Sequence, residues 1–97
     1  MILKKTITIT NPQGLHARPA SIFVRIANAY ESEILVRKDG EEVSGKSIMG
    51  LMTLAAAQGS QVEIEISGPD AQRAMEALER FLASDTDEEN RKEDAVT

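Results

Sequence analysis

The chain contains no cysteine and no tryptophan, three other aromatic residues, and a single histidine. Without cysteine no disulfide, thiolate metal site or thiol nucleophile can be built, which accords with a reducing compartment. One histidine alone falls short of the ligand sets that transition metals take. No carboxylate lies near it between Leu15 and Phe23, so neither a metal nor another cofactor is expected. No apolar run approaches the roughly 20 residues of a membrane span. The N-terminus, Met1-Ile2-Leu3-Lys4-Lys5-Thr6, lacks a signal-peptide core. The expectation is a cytoplasmic, soluble protein with no direct membrane insertion. There is no basic stripe, and Phe23, Tyr30 and Phe81 are too few for base stacking, so nucleic acid is not expected as a partner.

The charge that is present sits unevenly. Residues Ser84 to Thr97 hold six acids (Asp85, Asp87, Glu88, Glu89, Glu93, Asp94) against Arg91 and Lys92, a net of -4 that leaves -1 of the formal -5 for the rest. Residues 1–83 read as one domain, large enough for a single modest core without staples. Residues 84–97 read as an acidic tail, expected to be disordered and to serve solubility.

Apolar periodicity orders the elements. Lys4 to Thr10 alternates, with Ile7 and Ile9 on one face and Thr6, Thr8 and Thr10 on the other, as in a half-buried strand. The turn Asn11-Pro12-Gln13-Gly14 ends it. From about Ala17, the positions Ala20, Phe23, Val24 and Ala27 recur at helical spacing. Glu33 to Lys38 and Glu41 to Ser44 read as strands joined by Asp39-Gly40, a dipeptide suited to a type I′ hairpin turn. Ser47 is a good helix cap, and a charge-free helix is predicted from Ile48 until Gly59 offers a left-handed stop. Val62, Ile64 and Ile66 alternate with polar residues in the clearest strand. Gly68-Pro69-Asp70 opens a last helix whose stripe is Ala71, Ala74, Met75, Leu78, Phe81 and Leu82. The order strand, helix, strand, strand, helix, strand, helix implies an α+β two-layer sandwich.

The histidine lies in Gly14-Leu15-His16-Ala17-Arg18-Pro19-Ala20. Proline is tolerated only in the first turn of a helix, which places His16 at or next to the cap. Arg18, preceding proline, is pushed away from helical dihedrals, so an irregular first turn is expected. A helix start exposes N–H groups and the positive end of the dipole, and so favours an anion. A neutral imidazole is nucleophilic near pH 7, and a guanidinium can hold phosphate oxygens in a fork. A lone histidine is more often a cap or a surface residue. Its position beside Arg18, Pro19 and a helix start raises the case for a histidine that carries a phosphoryl group. Gly14 is expected to shape the turn and, lacking a side chain, to keep the approach to His16 open.

A second stretch, Lys46-Ser47-Ile48-Met49-Gly50-Leu51-Met52, carries further candidates. Ser47 is first a cap, but a phosphate there would be stabilised by the helix start and would alter docking electrostatically. If Leu51, Leu54 and Ala55 form the buried face, the Met-bearing face is surplus, and flexible methionines suit a surface that must accept several partners. The expected docking patch is Ile48, Met49, Met52 and Phe23. Lys46 and Arg25 are candidates for added positive potential toward acidic partners.

These two stretches together resemble the two signature motifs of the HPr family, the histidine-containing phosphocarriers of the bacterial phosphoenolpyruvate-dependent sugar phosphotransferase system. The resemblance spans about residues 3 to 83. It implies a four-stranded antiparallel sheet covered on one face by three helices. It implies that the protein is not itself an enzyme but a covalent phosphohistidine intermediate, accepting a phosphoryl group on the δ1 nitrogen of His16 from phosphorylated Enzyme I and passing it to the A domain of a sugar-specific Enzyme II. Arg18 would steady that group. Ser47 would be the target of an HPr kinase/phosphorylase, with a transcriptional regulator as a further partner, and the carrier is expected to be monomeric. Related carriers serve a nitrogen-related branch or regulatory chains; the segment Ser47 to Met52 is more similar to the sugar type. The tail passes the family's usual end, so no family role extends to it. Two rivals stay open: a regulator in which Ser47 is the working residue and His16 incidental, and a small metal or ligand binder, which the residue inventory disfavours.

Overall fold

The computed structural model describes residues 1–83; the acidic segment 84–97, with the disorder expected of it, lies outside the described residues. Four strands, β1 (Ile2–Thr8), β2 (Glu33–Lys38), β3 (Glu41–Ser44) and β4 (Gln61–Ser67), alternate with three helices, α1 (Ala17–Ala27), α2 (Ile48–Thr53) and α3 (Ala71–Ala83). The sheet order is β1-β4-β2-β3 with antiparallel neighbours throughout. This is the expected open-faced α+β sandwich.

The pleat explains why the helices lie on one side. Ile7 faces Val62 across β1 and β4, Leu3 faces Ile66, and Ile34 and Val36 of β2 face Ile66 and Ile64. Successive side chains alternate faces, so these residues form one apolar surface, on which Phe23, Leu51, Leu78 and Leu82 from the three helices are fully buried. The opposite face is polar. There Arg37 bridges Glu42, Glu63 and Glu65 at 2.7, 2.9 and 2.8 Å. The hydrogen bonds it donates to these carboxylates, that to Glu65 foremost, hold the guanidinium in its charged form.

Asp39 and Gly40 both have positive φ, 51° and 84°, as a type I′ turn requires. β1 begins two residues earlier than the alternation suggests, because β4 continues to Ser67 and supplies partners for Ile2 and Leu3. Pro69 and Asp70 lie in the turn ahead of α3. The carboxylate of Asp70 accepts from the backbone N–H groups of Glu31 and Ser32, at 2.9 and 3.0 Å, and from the Ser32 hydroxyl. It pins the α1–β2 connection to the start of α3. These bonds, the Ser32 hydroxyl first and the Glu31 amide next, hold its pKa below the ordinary value.

The largest departure from expectation is α2, which ends at Thr53 rather than running toward Gly59. Ala55 adopts φ 53°, a left-handed conformation that stops the helix. Alanine is the best helix former, but tertiary packing overrides propensity here. Ala56 is buried and its carbonyl accepts from Leu15 N–H at 2.8 Å, a bond to the segment ahead of α1 that a continued helix would forfeit. Ala55 itself is exposed, so it does not share the buried face of Leu51 and Leu54.

Candidate functional site

Three devices hold His16. The turn Asn11–Gly14 closes with Gly14 N–H donating to Asn11 O at 3.1 Å, and the buried Asn11 amide donates back to Gly14 O at 2.8 Å. Leu15 is 98% buried, reading its exposure of 2%, and anchors the chain in the core one residue before the histidine. The Leu15–Ala56 hydrogen bond then ties this segment to the end of α2.

His16 follows as the N-cap of α1, extended at φ -79°, ψ -171°, and exposed. Its carbonyl accepts the first helical bond, from Ala20 N–H at 2.8 Å, while its side chain makes no capping hydrogen bond. The sequence accounts for this. A capping side chain accepts from the second or third helical N–H, and the third position is Pro19, which has none. The imidazole is thus turned to solvent beside a helix start that carries a partial positive charge and no acidic residue in its first turn. Arg18 is exposed at the second helical position. Contrary to the irregular first turn expected before proline, α1 is regular from Ala17, the bond from Ala20 to His16 closing the turn around Arg18.

Gly14 shapes the turn as expected, and its missing side chain has a further role. It is buried, has φ +63°, and a Cβ there would sit 2.4 Å from Ala56 O and 2.9 Å from Ala57 Cα. The missing side chain permits close approach of two backbones two residues before the histidine.

Ser47 caps α2 as expected, its Oγ accepting from Gly50 N–H at 3.0 Å. Around it, Ile48, Met49 and Met52 are exposed by 40%, 76% and 41%, unusual for large apolar side chains. Phe23 does not join them. It is fully buried, with its ring edge 3.2 Å from the Cβ position at Gly45, so it belongs to the core and is withdrawn from the docking patch. The apolar stripe of α1 had no feature to separate it from a surface position. The Leu15–Ala56 bond ties the segment after α2 to the approach to His16, while Lys46, just ahead of α2, bonds to Tyr30 O past the other end of α1, so α2 lies alongside α1. Asn11 and Ala56, which hold that approach, gave no chemical signal in the sequence. Only the Asn-x-x-Gly turn hinted at the first.

The charge is sorted in the same way. The segments 9–28 and 44–60, which build the site, contain Arg18, Arg25 and Lys46 and no aspartate or glutamate. Arg25 is exposed in the last turn of α1. Lys46 donates to Tyr30 O at 2.8 Å, which fastens the α1–β2 connection and leaves its charge without an acid in that bond. An exposed imidazole, a guanidinium two residues away and a helix start, on segments that contain no acid, have the chemistry to accept and release a phosphoryl group at an open surface.

Comparisons with known proteins identify the family. Residues 3–84 match the family described as PTS HPr component phosphorylation site. Over 85 residues the chain is 41% identical to the phosphocarrier protein HPr of Treponema pallidum, covering 88% of this chain and 97% of that protein. Over 81 residues it is 47% identical to the HPr-like protein Crh of Halalkalibacterium halodurans, covering 84% and 96%. The crystal structure of a phosphocarrier protein HPr from Bacillus anthracis superposes with a TM-score of 0.81 at 42% identity, covering 84% of this chain and 96% of that one. No helix among the described residues is long and apolar enough to cross a membrane.

Proposed function

The chain belongs to the HPr family of phosphotransferase-system components, and from that premise we propose that His16 is a phosphoryl carrier between phosphorylated Enzyme I and the A domain of a sugar-specific Enzyme II. In the forward step the δ1 nitrogen of His16 attacks the phosphorus carried by the donor, the new N–P bond forms as the donor's bond to phosphorus breaks, and the same exchange runs outward to the acceptor. The observation that carries this reading is the exposed imidazole at an uncapped helix start with Arg18 in the same turn. A charged hydrogen bond from Arg18 to the phosphoryl oxygens contributes about 1.5–3 kcal/mol, against roughly 0.3–1 from the dipole. The arginine dominates holding, and the open surface lets the group leave again. The carrier needs no cofactor and works as a monomer in the cytoplasm.

Incubation with labelled phosphoenolpyruvate and Enzyme I tests the reading. It should produce an acid-labile, base-stable phosphate that His16→Ala abolishes. Label entering only from ATP, and only at Ser47, would replace the carrier with a regulator.

Regulation at Ser47 is supported by its position. It caps the helix that presents Ile48, Met49 and Met52, so a phosphate of about -1.5 to -2 charge would enter the docking surface without breaking the core. The partners of that step would be an HPr kinase/phosphorylase and a transcriptional regulator. Ser47→Asp should slow phosphorylation of His16, and equal rates for variant and parent would discard the idea.

A further inference from the structure

A second concave surface lies between α1 and α3, away from the histidine. Ile26 and Ala29 with Tyr30, at the end of α1 and just past it, face Ala77, Arg80 and Phe81 of α3 across a groove of about 360 Å³. Asp70, ahead of α3, bonds residues 31 and 32 past the end of α1, and Leu82, near the end of α3, bonds Thr10 ahead of α1, so the two helices run antiparallel. The floor is apolar: Ile26, Tyr30 and Ala77 are half-buried and Phe81 is buried. Ile26 is ten residues beyond His16, about 15 Å along the helix, so a short segment seated here leaves the imidazole uncovered.

The rim is cationic. Arg80 lines the groove itself, Arg73 lies one turn before Ala77 on the same flank of α3, and Arg25 lies one turn before Ala29 on α1. All three are exposed, and none forms an ion pair among the described residues. The acids of α3 turn the other way: Glu76 and Glu79 line the space against β1, where Lys5 bonds Glu79 at 2.8 Å. Glu31, in the connection after α1, pairs with none of the three arginines. Glu42, Glu63 and Glu65 are engaged by Arg37 on the open sheet face, so a second copy of the chain has no free set of carboxylates there to offer. We propose that this groove docks an acidic segment of a partner protein, an apolar side chain entering between Ile26, Ala77 and Phe81 while flanking carboxylates pair with Arg73 and Arg80 and, across the groove, with Arg25. Guanidinium forks suit carboxylates, and a concave apolar floor with a few polar groups at its edge is the usual form of such a site. The chain is then held by one protein at the end of α1 while His16 exchanges phosphate at its start; only that consequence rests on the carrier reading.

The test titrates the isotope-labelled full chain with a capped peptide in which a leucine and a phenylalanine are flanked by two glutamates on each side. Backbone amide shifts should change at residues 25–30 and 73–81 and not at 15–18 or 48–52, and binding should fade between ~20 mM and ~0.5 M salt. Arg73→Gln with Arg80→Gln should weaken the peptide about threefold to tenfold, because exposed ion pairs are individually weak. Ala77→Glu, which fills the groove and sets a carboxylate one turn from both arginines, should abolish binding with no loss in melting temperature. Exchanging the peptide's glutamates for glutamines, or its two apolar residues for alanines, should each remove binding. No binding, shifts at 15–18 or 48–52 instead, or an affinity unchanged in the double variant overturns the proposal. So does arginine-dependent self-association, binding to phosphatidylserine vesicles without binding of the peptide, or peptide binding that appears only once the acids of residues 84–97 are changed to amides, since each gives the groove another occupant. Phosphorylation of His16 by phosphorylated Enzyme I should be unchanged in the double variant; slower transfer would place the arginines in the carrier's own docking surface and equally overturn it. Because the shifts need no phosphotransfer, failure of the groove and failure of the carrier reading are told apart.

Discussion

Substituting Gly14 by alanine should loosen the histidine from its support. The backbone there is left-handed, at φ +63°, which costs an alanine roughly 1–2 kcal/mol. The new Cβ would stand 2.4 Å from Ala56 O, a backbone atom with little freedom and the acceptor of the Leu15 hydrogen bond. Relief requires the 55–57 segment to move away, at the expense of a bond worth about 0.5–1.5 kcal/mol. The combined loss is about 1.5–3.5 kcal/mol, which for a domain of this size lowers the melting temperature by about 6–28 °C. Gly40→Ala is the control, since Gly40 also has positive φ, 84°, but nothing lies within 4 Å of its Cβ position. It should show the strain without the clash. Thermal denaturation followed by circular dichroism compares the two, and transfer from Enzyme I, measured well below both transitions, should be slowed only by Gly14→Ala. Equal melting temperatures for the two variants, with equal transfer rates, would refute the argument that close backbone packing positions His16.

Three further outcomes are expected. Asp70→Asn should lower stability at neutral pH. The native carboxylate has a depressed pKa, so its contribution is fully present above the ordinary value near 3.8 and is lost as pH falls through the lower folded-state value; the gap between parent and variant in denaturant titrations should close only below that range, and a gap that persisted unchanged to the acid limit would contradict the assignment. Ala55→Gly should stabilise the domain by about 0.5–1 kcal/mol, because relief of the left-handed strain at an exposed position outweighs the entropy of glycine; a lower melting temperature would show that Ala55 is not strained. Met49→Glu should weaken binding of Enzyme I at least tenfold with an unchanged melting temperature, since Met49 is 76% exposed; unaltered affinity in calorimetry would remove it from the docking surface.

Much of the fold was legible because its apolar residues repeat with the period of the element that holds them. Ile34 and Val36, the run Val62 to Ile66, and the stripe from Ala71 to Leu82 each marked a buried face without reference to anything distant, and Asp39-Gly40 marked its hairpin. Ser47 was legible as a cap and His16 as a residue at a helix start, since proline and serine constrain the backbone within a few residues. The errors arose where a distant contact decided. The stretch Leu54 to Ala57 has the composition of a helix and was read as one. Phe23 shares the apolar stripe of α1, and nothing local states whether a given stripe position meets the sheet or solvent.

The sequence by itself determined the element order, the open polar face of the sheet, the helix start at His16 and Arg18, and the separation of acid from base along the chain, because each depends on periodicity or on neighbours a few residues apart. Tertiary structure decided that the Gly14 backbone packs against Ala56 and Ala57, that Phe23 is core, that α2 stops short where Ala56 bonds Leu15, and that the end of α3 is bonded to Thr10 on the approach to His16. All but the burial of Phe23 depend on backbone atoms from segments forty or more residues apart meeting closely, as Leu15 meets Ala56 and Thr10 meets Leu82. Such meetings are a property of packing, and no local pattern encodes them.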